Sequence, residues 1–472
     1  MTPYLKYLRT AFTQLDHAAQ AEASRERNAI AKRLLDALIA RAETAERLQA
    51  DLVSGLHQLA EQDASGELGH LLAQARLVTE PGYLAQGLGT LQASYIETGD
   101  SNGLRMAAAV ADLERQYYPQ FKAAVAAQQQ SGLTAEAAGP DGANALDTQR
   151  LTAFLRDALD EPQLTISQTS VLAGGYSKST RAVTLEDVRS CPQEIVLRSD
   201  STAVHSAGSV VHEYALLGRL FEQGLRVPRP LALEPTGSVL GAPFIAVERC
   251  PGSTLGSLLV PPPRNPGLAR EVAEQLALLH TTPLDRVRDV LAPPAPSATD
   301  WVSALVEEDY RNWKALDVPS SIFEAAYAWL RRNVSCNDGA PRVPMHGDYG
   351  MQNFLVEGER VCAVLDWEFA CIGHAAYDLG YFYDQAESLD SWEAFLAAYA
   401  EAGGHVPDAA QLDYNILLCA TRFGVMSVRL QKHVESGGEI DEASATIFGH
   451  VFIEEFSERT ARALAKVLRQ QV

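Results

Sequence analysis

Leu5, Leu8, Phe12 and Leu15 recur at the spacing of one helix face, as do Leu34, Leu35, Leu38 and Ile39 farther on. Ala, Glu, Arg, Leu and Gln dominate this stretch, and no proline stands between Pro3 and Pro81 to interrupt a helix. Gly66 and Pro81-Gly82 mark breaks, and a further helix is expected over Leu104–Leu113, ahead of Pro119. Together these predict an antiparallel bundle of about four helices over residues 1–127. His17, His57 and His70 lie on polar or mixed stretches and read as surface side chains. Periodicity stops at residues 128–148, QQQSGLTAEAAGPDGANALDT, whose Gly, Pro, Ala, Ser and Gln make a linker.

Beyond it the period changes. After a helix over Gln149–Leu159, alternating apolar positions predict strands at Leu164–Leu172, Thr180–Leu185 and Ile195–Arg198. The turn between the first two holds Gly174, Gly175, Tyr176 and Ser177. A helix begins near Val210, and two more strands are expected around Leu231–Leu233 and Ile245–Arg249. From Leu268 to His280 a helix opens a region of mostly helical pattern, with Trp301, Trp313 and Trp329 on helices between Asp300 and Asn333. Two short strands, Phe354–Val356 and Val361–Leu365, flank a tight turn at Glu357-Gly358-Glu359. The predicted class is α+β: a small antiparallel-sheet lobe over 149–250, a larger helical lobe over 251–472, and an all-α domain before them.

A chain of 472 residues is long enough for about three structural units. A hydrophobic fraction of 47% is ordinary for a globular protein, and the formal charge of −21 argues against nucleic acid or an anionic membrane surface as partner. Six cysteines stand singly, with no CxxC pair, which reads as reduced thiols rather than a disulfide scaffold or zinc site. The amino-terminal residues lack the apolar region of a signal peptide, and no uncharged apolar run reaches membrane length. A cytoplasmic protein is expected.

The chemistry concentrates in MHGDYGMQNFLVEGERVCAVLDWEF, Met345–Phe369. Asp348 is followed five positions later by Asn353, and Asp366 closes the hairpin. Kinases need an aspartate to accept the attacking hydroxyl's proton, and an asparagine and a second aspartate, after a hairpin, to hold magnesium. An Asn/Asp pair suffices because magnesium takes its remaining oxygen ligands from phosphates and water.

HGDYGMQN followed by AVLDWEFACIGHAAYDLGYF resembles the aminoglycoside phosphotransferase and choline kinase-like family, small-molecule relatives of protein kinases. The resemblance covers about residues 149–430 and implies a two-lobed protein-kinase-like fold and ATP with Mg2+ as cofactors. It implies Asp348 as the catalytic acceptor of the proton and Asn353 and Asp366 as metal ligands. Gly174, Gly175 and Ser177 would lie on the phosphates, Arg198 paired with Glu213 would orient them, and Glu248 with Cys250 would border the adenine at the hinge. His346 and Asp378 would support the loop. Arg198 stands where kinases have lysine, and its strand, Val196-Leu197-Arg198, is similar to that of the subset linked to acyl-CoA dehydrogenases. Gly373-His374-Ala375 departs from the Gly-Asp-Pro of other members.

The expected activity is therefore phosphoryl transfer from ATP to a hydroxyl of a small molecule, such as a hydroxyacyl-CoA. An antibiotic acceptor, and a catalytically silent nucleotide-binding module working through its helical domain, are the alternatives. The region 1–127 lies outside the resemblance and is expected to dock a protein partner or self-associate.

Overall fold

A computed structural model describes residues 50–75, 82–129, 147–172, 178–200, 209–256, 261–291, 297–435 and 452–472. The leucine pattern before residue 50, the turn at Gly174–Ser177 and most of the expected linker lie outside the described residues. After a helical segment at 50–60 come α1 (Glu67–Ala75), α2 (Tyr83–Thr98), α3 (Ser101–Gln129) and α4 (Thr148–Ala158). Strands β1 (Thr165–Val171), β2 (Lys178–Glu186) and β3 (Glu194–Asp200) lead to α5 (Val210–Glu222), then β4 (Pro230–Glu234) and β5 (Phe244–Glu248). Helices α6 (Pro266–Thr281), α7 (Ala298–Ala315) and α8 (Ser321–Arg332) precede β6 (Val343–Met345), β7 (Phe354–Glu357), β8 (Arg360–Val364) and β9 (Cys371–Gly373). The chain continues through α9 (Ala375–Leu389), α10 (Trp392–Glu401), α11 (Ala409–Glu435) and α12 (Ile453–Arg469).

Two compact units result, and their membership cuts across the order of the sequence. Of the described residues, one comprises those within 50–129, 302–337 and 413–472; the other comprises those within 147–301 and 338–412. In the second unit the five strands form one antiparallel sheet in the order β1-β2-β3-β5-β4. Because successive strand side chains face opposite ways, Ile195 and Leu197 enter a core with Leu151 and Leu155 of α4, Val183, Leu185, Phe244 and Ala246. The neighbours of opposite parity, Val196, Ile245 and Val247, pack into the core that contains Leu216, Leu217 and Leu220 of α5. That parity sends Arg198 to the α5 side. Helix α6 starts with Asn265 accepting from Leu268 N at 3.1 Å and with proline in its first turn. Its apolar face, Leu268, Val272, Leu276 and Leu279, is fully buried and carries the loop and hairpin described below.

In the first unit α2 packs on α8, and α3 runs along α12. Gly89 permits the first contact, since a Cβ there would lie 3.2 Å from Ser321 Cα. The helix expected to stop before Pro119 instead continues through it to Gln129. Interior proline removes one hydrogen bond and costs about 3 kcal/mol, and packing along α12 offsets that loss. Cleavage at a protease site engineered between Ala138 and Gly139 tests this assembly. The two pieces are expected to co-elute on size exclusion and to separate only in urea; separation in native buffer would refute the packing of α2 and α3 described here.

Between α2, α3 and α8 lies a buried polar cluster. Ser321 Oγ donates to Glu114 Oε1, and the Gln92 side chain lies beside the same carboxyl. Burial raises the Glu114 carboxyl to about 7. Between the usual carboxylate range and that value the folded chain binds a proton that the unfolded chain has released, so stability falls as pH rises through the window. The shift corresponds to about 3 kcal/mol. Glu114→Gln is expected to match the parent near pH 4.5 and to exceed its stability by about that amount at pH 8. Chemical denaturation across that range is the measurement, and parallel pH profiles for the two proteins would contradict it.

Candidate active site

Strand parity and helix phase bring Arg198 and Glu213 together. Arg198, on β3, reaches Glu213 Oε1 on α5 through Nη1 at 3.3 Å. Its Nη2 lies 3.0 Å from Asp366 Oδ1. Burial works against the guanidinium's charge, but Glu213 and Asp366 together hold it protonated. Burial also raises Glu213, and Arg198 only partly restores its acidity. Arg198 Nε remains a buried donor without a partner, which suits an anionic group such as a phosphate.

The loop before the hairpin is braced from beneath. Asp378, wholly buried in the first turn of α9, accepts from His346 N at 2.7 Å and from Gly347 N at 2.8 Å. His280 Nε2 lies 3.2 Å from the same carboxylate, while its Nδ1 lies 2.8 Å from the Tyr399 hydroxyl. Burial alone would raise the Asp378 carboxyl; His280 and these amides reverse that and lower it. The His346 ring ties the loop to the hairpin's end. Asp348 N donates to its Nδ1 at 3.2 Å, so the proton sits on Nε2, which donates to Leu365 O at 2.9 Å. Burial lowers the pKa of this ring, in keeping with a neutral tautomer. Gly347 has φ 82°, and a Cβ there would meet Phe369 O at 2.5 Å. Both the conformation and the space demand glycine.

Asp348 is half-buried and surrounded by donors. Asn353 Nδ2 donates to its Oδ2 and to its backbone carbonyl, each at 2.9 Å. Gln352 Nε2 donates to its Oδ1 at 3.2 Å and to the Tyr381 hydroxyl oxygen at 3.2 Å. Desolvation raises the carboxyl to about 7 against the opposing pull of Tyr381 and Asn353. With Nδ2 of Asn353 engaged twice, its Oδ1 is left to accept. Asp366, in the left-handed region at φ 64°, gives Oδ1 to Arg198 and retains Oδ2. A neutral amide oxygen and a carboxylate oxygen are the hard donors that suit magnesium. Asn353 O accepts from Leu365 N at 2.8 Å, which fixes the loop end against the hairpin end.

Asp348, Asn353, Asp366, Arg198, Glu213, His346 and Asp378 thus form one connected set in the second unit. The other expected nucleotide contacts stand apart from it in the hydrogen-bond network. Glu248 forms a 3.1 Å ion pair with Arg229. Cys250 is half-buried, its thiol pushed up to about 11 by burial. Just after it, Ser253 and Val356 exchange backbone hydrogen bonds at 3.0 and 3.2 Å, which ties the expected hinge to β7. Gly174, Gly175 and Ser177 lie outside the described residues. At the departure from Gly-Asp-Pro, His374 is the buried residue before α9 and gives it no side-chain cap. Burial lowers its imidazole to about 4. Gln352, Tyr381 and His280 complete the network without having been singled out for it, because only the fold brings them to the loop. No cluster of three or more metal-ligating side chains exists among the described residues.

A five-stranded antiparallel sheet with one helix, followed by a helical region that carries a braced loop and an acid after a hairpin, is the protein-kinase-like fold. Comparison with known proteins gives the same class. A family model described as phosphotransferase enzyme family matches residues 168–414, a little over half of the chain, and the chain belongs to that family. It is 28% identical over 237 residues to acyl-CoA dehydrogenase family member 11 of Homo sapiens, covering 45% of this chain and 30% of that protein. The Pongo abelii counterpart is 28% identical over 198 residues, covering 40% of this chain and 25% of that protein. The chain therefore spans less than a third of the length of these relatives. Among solved structures, a suspected aminoglycoside phosphotransferase from Ralstonia eutropha superposes with a TM-score of 0.55 at 18% identity. That match covers 68% of this chain and 99% of the other, and it supports the fold.

Proposed function

We propose that this phosphotransferase is an ATP- and magnesium-dependent kinase that phosphorylates a hydroxyl of a small molecule. The observation that carries the reading is the single network linking Asp348, Asn353 and Asp366 to the Arg198–Glu213 pair. Asp348 orients the acceptor hydroxyl and takes its proton; a carboxyl raised to about 7 suits that exchange near neutrality. Asn353 and Asp366 would hold magnesium through oxygen, and the ion would supply neutralisation of phosphate charge. Arg198, kept in line by Glu213, presents its unpartnered Nε toward phosphate. Gly174, Gly175 and Ser177 supply backbone contacts to the same group, and Glu248 and Cys250 border the base. Positioning and charge stabilisation supply most of the rate.

For the acceptor, the relatives' names favour a hydroxylated acyl thioester, such as a hydroxyacyl-CoA, over an antibiotic. The test is a panel of hydroxyacyl-CoAs, free hydroxy acids, aminoglycosides, macrolides and choline, read as magnesium-dependent ADP release with a phosphorylated product. Turnover of a hydroxyacyl-CoA is expected. Turnover of an antibiotic alone would replace the acceptor and keep the kinase. Absence of turnover, with nucleotide bound, would favour a silent nucleotide-binding module. The amino-terminal helices are proposed to dock a protein partner or a second copy, and the setting is proposed to be cytoplasmic. No helix among the described residues is long and apolar enough to cross a membrane.

A further inference from the structure

Lys178 follows Gly174-Gly175-Tyr176-Ser177 directly and begins β2, yet its side chain is only 2% exposed. A cation so placed needs a partner, because an uncompensated buried ammonium is costly. The partner is Asp200, opposite it in the β2–β3 register, with Nζ 2.7 Å from Oδ1. Asp200 in turn holds the start of α5. Its Oδ1 accepts from Val210 N at 3.1 Å and its Oδ2 accepts from Ser209 Oγ at 2.8 Å. Ser209 is the N-cap of that helix, accepting from Val211 N at 3.3 Å. One turn on is Glu213, which holds Arg198.

Two positions separate Arg198 from Asp200 on β3, so both face α5. Lys178 pairs across from Asp200, and Thr180 pairs across from Arg198. The Lys178 charge also reaches Glu213 and lowers its carboxyl against the effect of burial.

We propose that Lys178 is a positioning residue for the nucleotide site: through Asp200 and Ser209 it sets where α5 begins, and so aligns Glu213 with Arg198. It does so from within the sheet, because its ammonium pairs with Asp200 and is closed off from solvent. This inference rests on the kinase reading of the site.

The experiment measures affinity for a fluorescent ATP analogue with magnesium in the parent, Lys178→Met, Arg198→Ala and the double variant. Backbone amide exchange over Val210–Leu216 is followed alongside. Lys178→Met is expected to weaken binding about 10-fold and to speed exchange at the start of α5. The double variant is expected to bind no more weakly than Arg198→Ala alone, since both act through one guanidinium. Asp200→Asn, which preserves shape, is expected to reproduce the Lys178→Met effect and serves if that variant fails to fold. A folded Lys178→Met or Asp200→Asn protein of lower thermal stability but parental affinity would overturn the proposal. Additive losses in the double variant would overturn it too. Failure of the parent to bind the analogue would instead sink the kinase reading, and this inference with it.

Discussion

Asp348→Asn is expected to lower the phosphotransfer rate about 1,000-fold while leaving nucleotide affinity within about twofold of the parent. Asparagine keeps the size of the side chain and can still meet Asn353 and Gln352, but it has no basic oxygen to take a proton. The donors now pointing at the carboxylate define its orientation, with Asn353 Nδ2 at 2.9 Å from Oδ2 and Gln352 Nε2 at 3.2 Å from Oδ1. On the proposed reading an incoming hydroxyl would meet an acceptor already fixed in direction, and the loss is expected on kcat rather than on KM for ATP. A variant that retained more than a tenth of the parental kcat would remove Asp348 from the chemistry.

Asp366→Asn is expected to act on a different quantity. Nucleotide affinity measured with magnesium should fall to the magnesium-free level, and turnover should drop by at least about 1,000-fold. On the proposed reading the carboxylate would serve two charges: Oδ1 meets Arg198 Nη2 at 3.0 Å, and Oδ2 would be left for the metal. The amide removes the charge that both need. Titrating magnesium at fixed nucleotide separates the two losses. The parent should show a saturable gain in affinity and the variant none; a variant that still gained affinity with magnesium would move the metal ligand elsewhere.

What the sequence made legible was whatever lies close along the chain. Asp348, Asn353 and Asp366 share a segment of 25 residues with a hairpin inside it, and their match to the kinase catalytic-loop pattern implied that they belong to one site. Arg198 and Glu213 were legible through the resemblance to kinases, in which a cation on the third strand pairs with a glutamate on the helix that follows. His280 and Asp378 stand 98 positions apart, and Gln352 meets Tyr381 across 29. No periodicity connects such pairs; only packing of α6 against α9 and the loop does. Lys178 passed unmarked because a lysine at a strand end ordinarily points to water. Pro119 misled for a different reason: a local penalty of about 3 kcal/mol is outweighed by tertiary packing that spacing does not reveal.

The first unit carries a consequence for synthesis. Arg469 of α12 forms an ion pair with Asp112 of α3, 357 positions earlier, and Ser321 bonds Glu114 across 207. During translation the early helices therefore emerge long before the surfaces that cover them. The second unit, complete once residue 412 has been made, has all its strands and its loop in hand while α3 still lacks α12. Nascent chains stalled before α12 are expected to hold a formed second unit and uncovered apolar helices of the first, the state in which a chaperone finds most to bind.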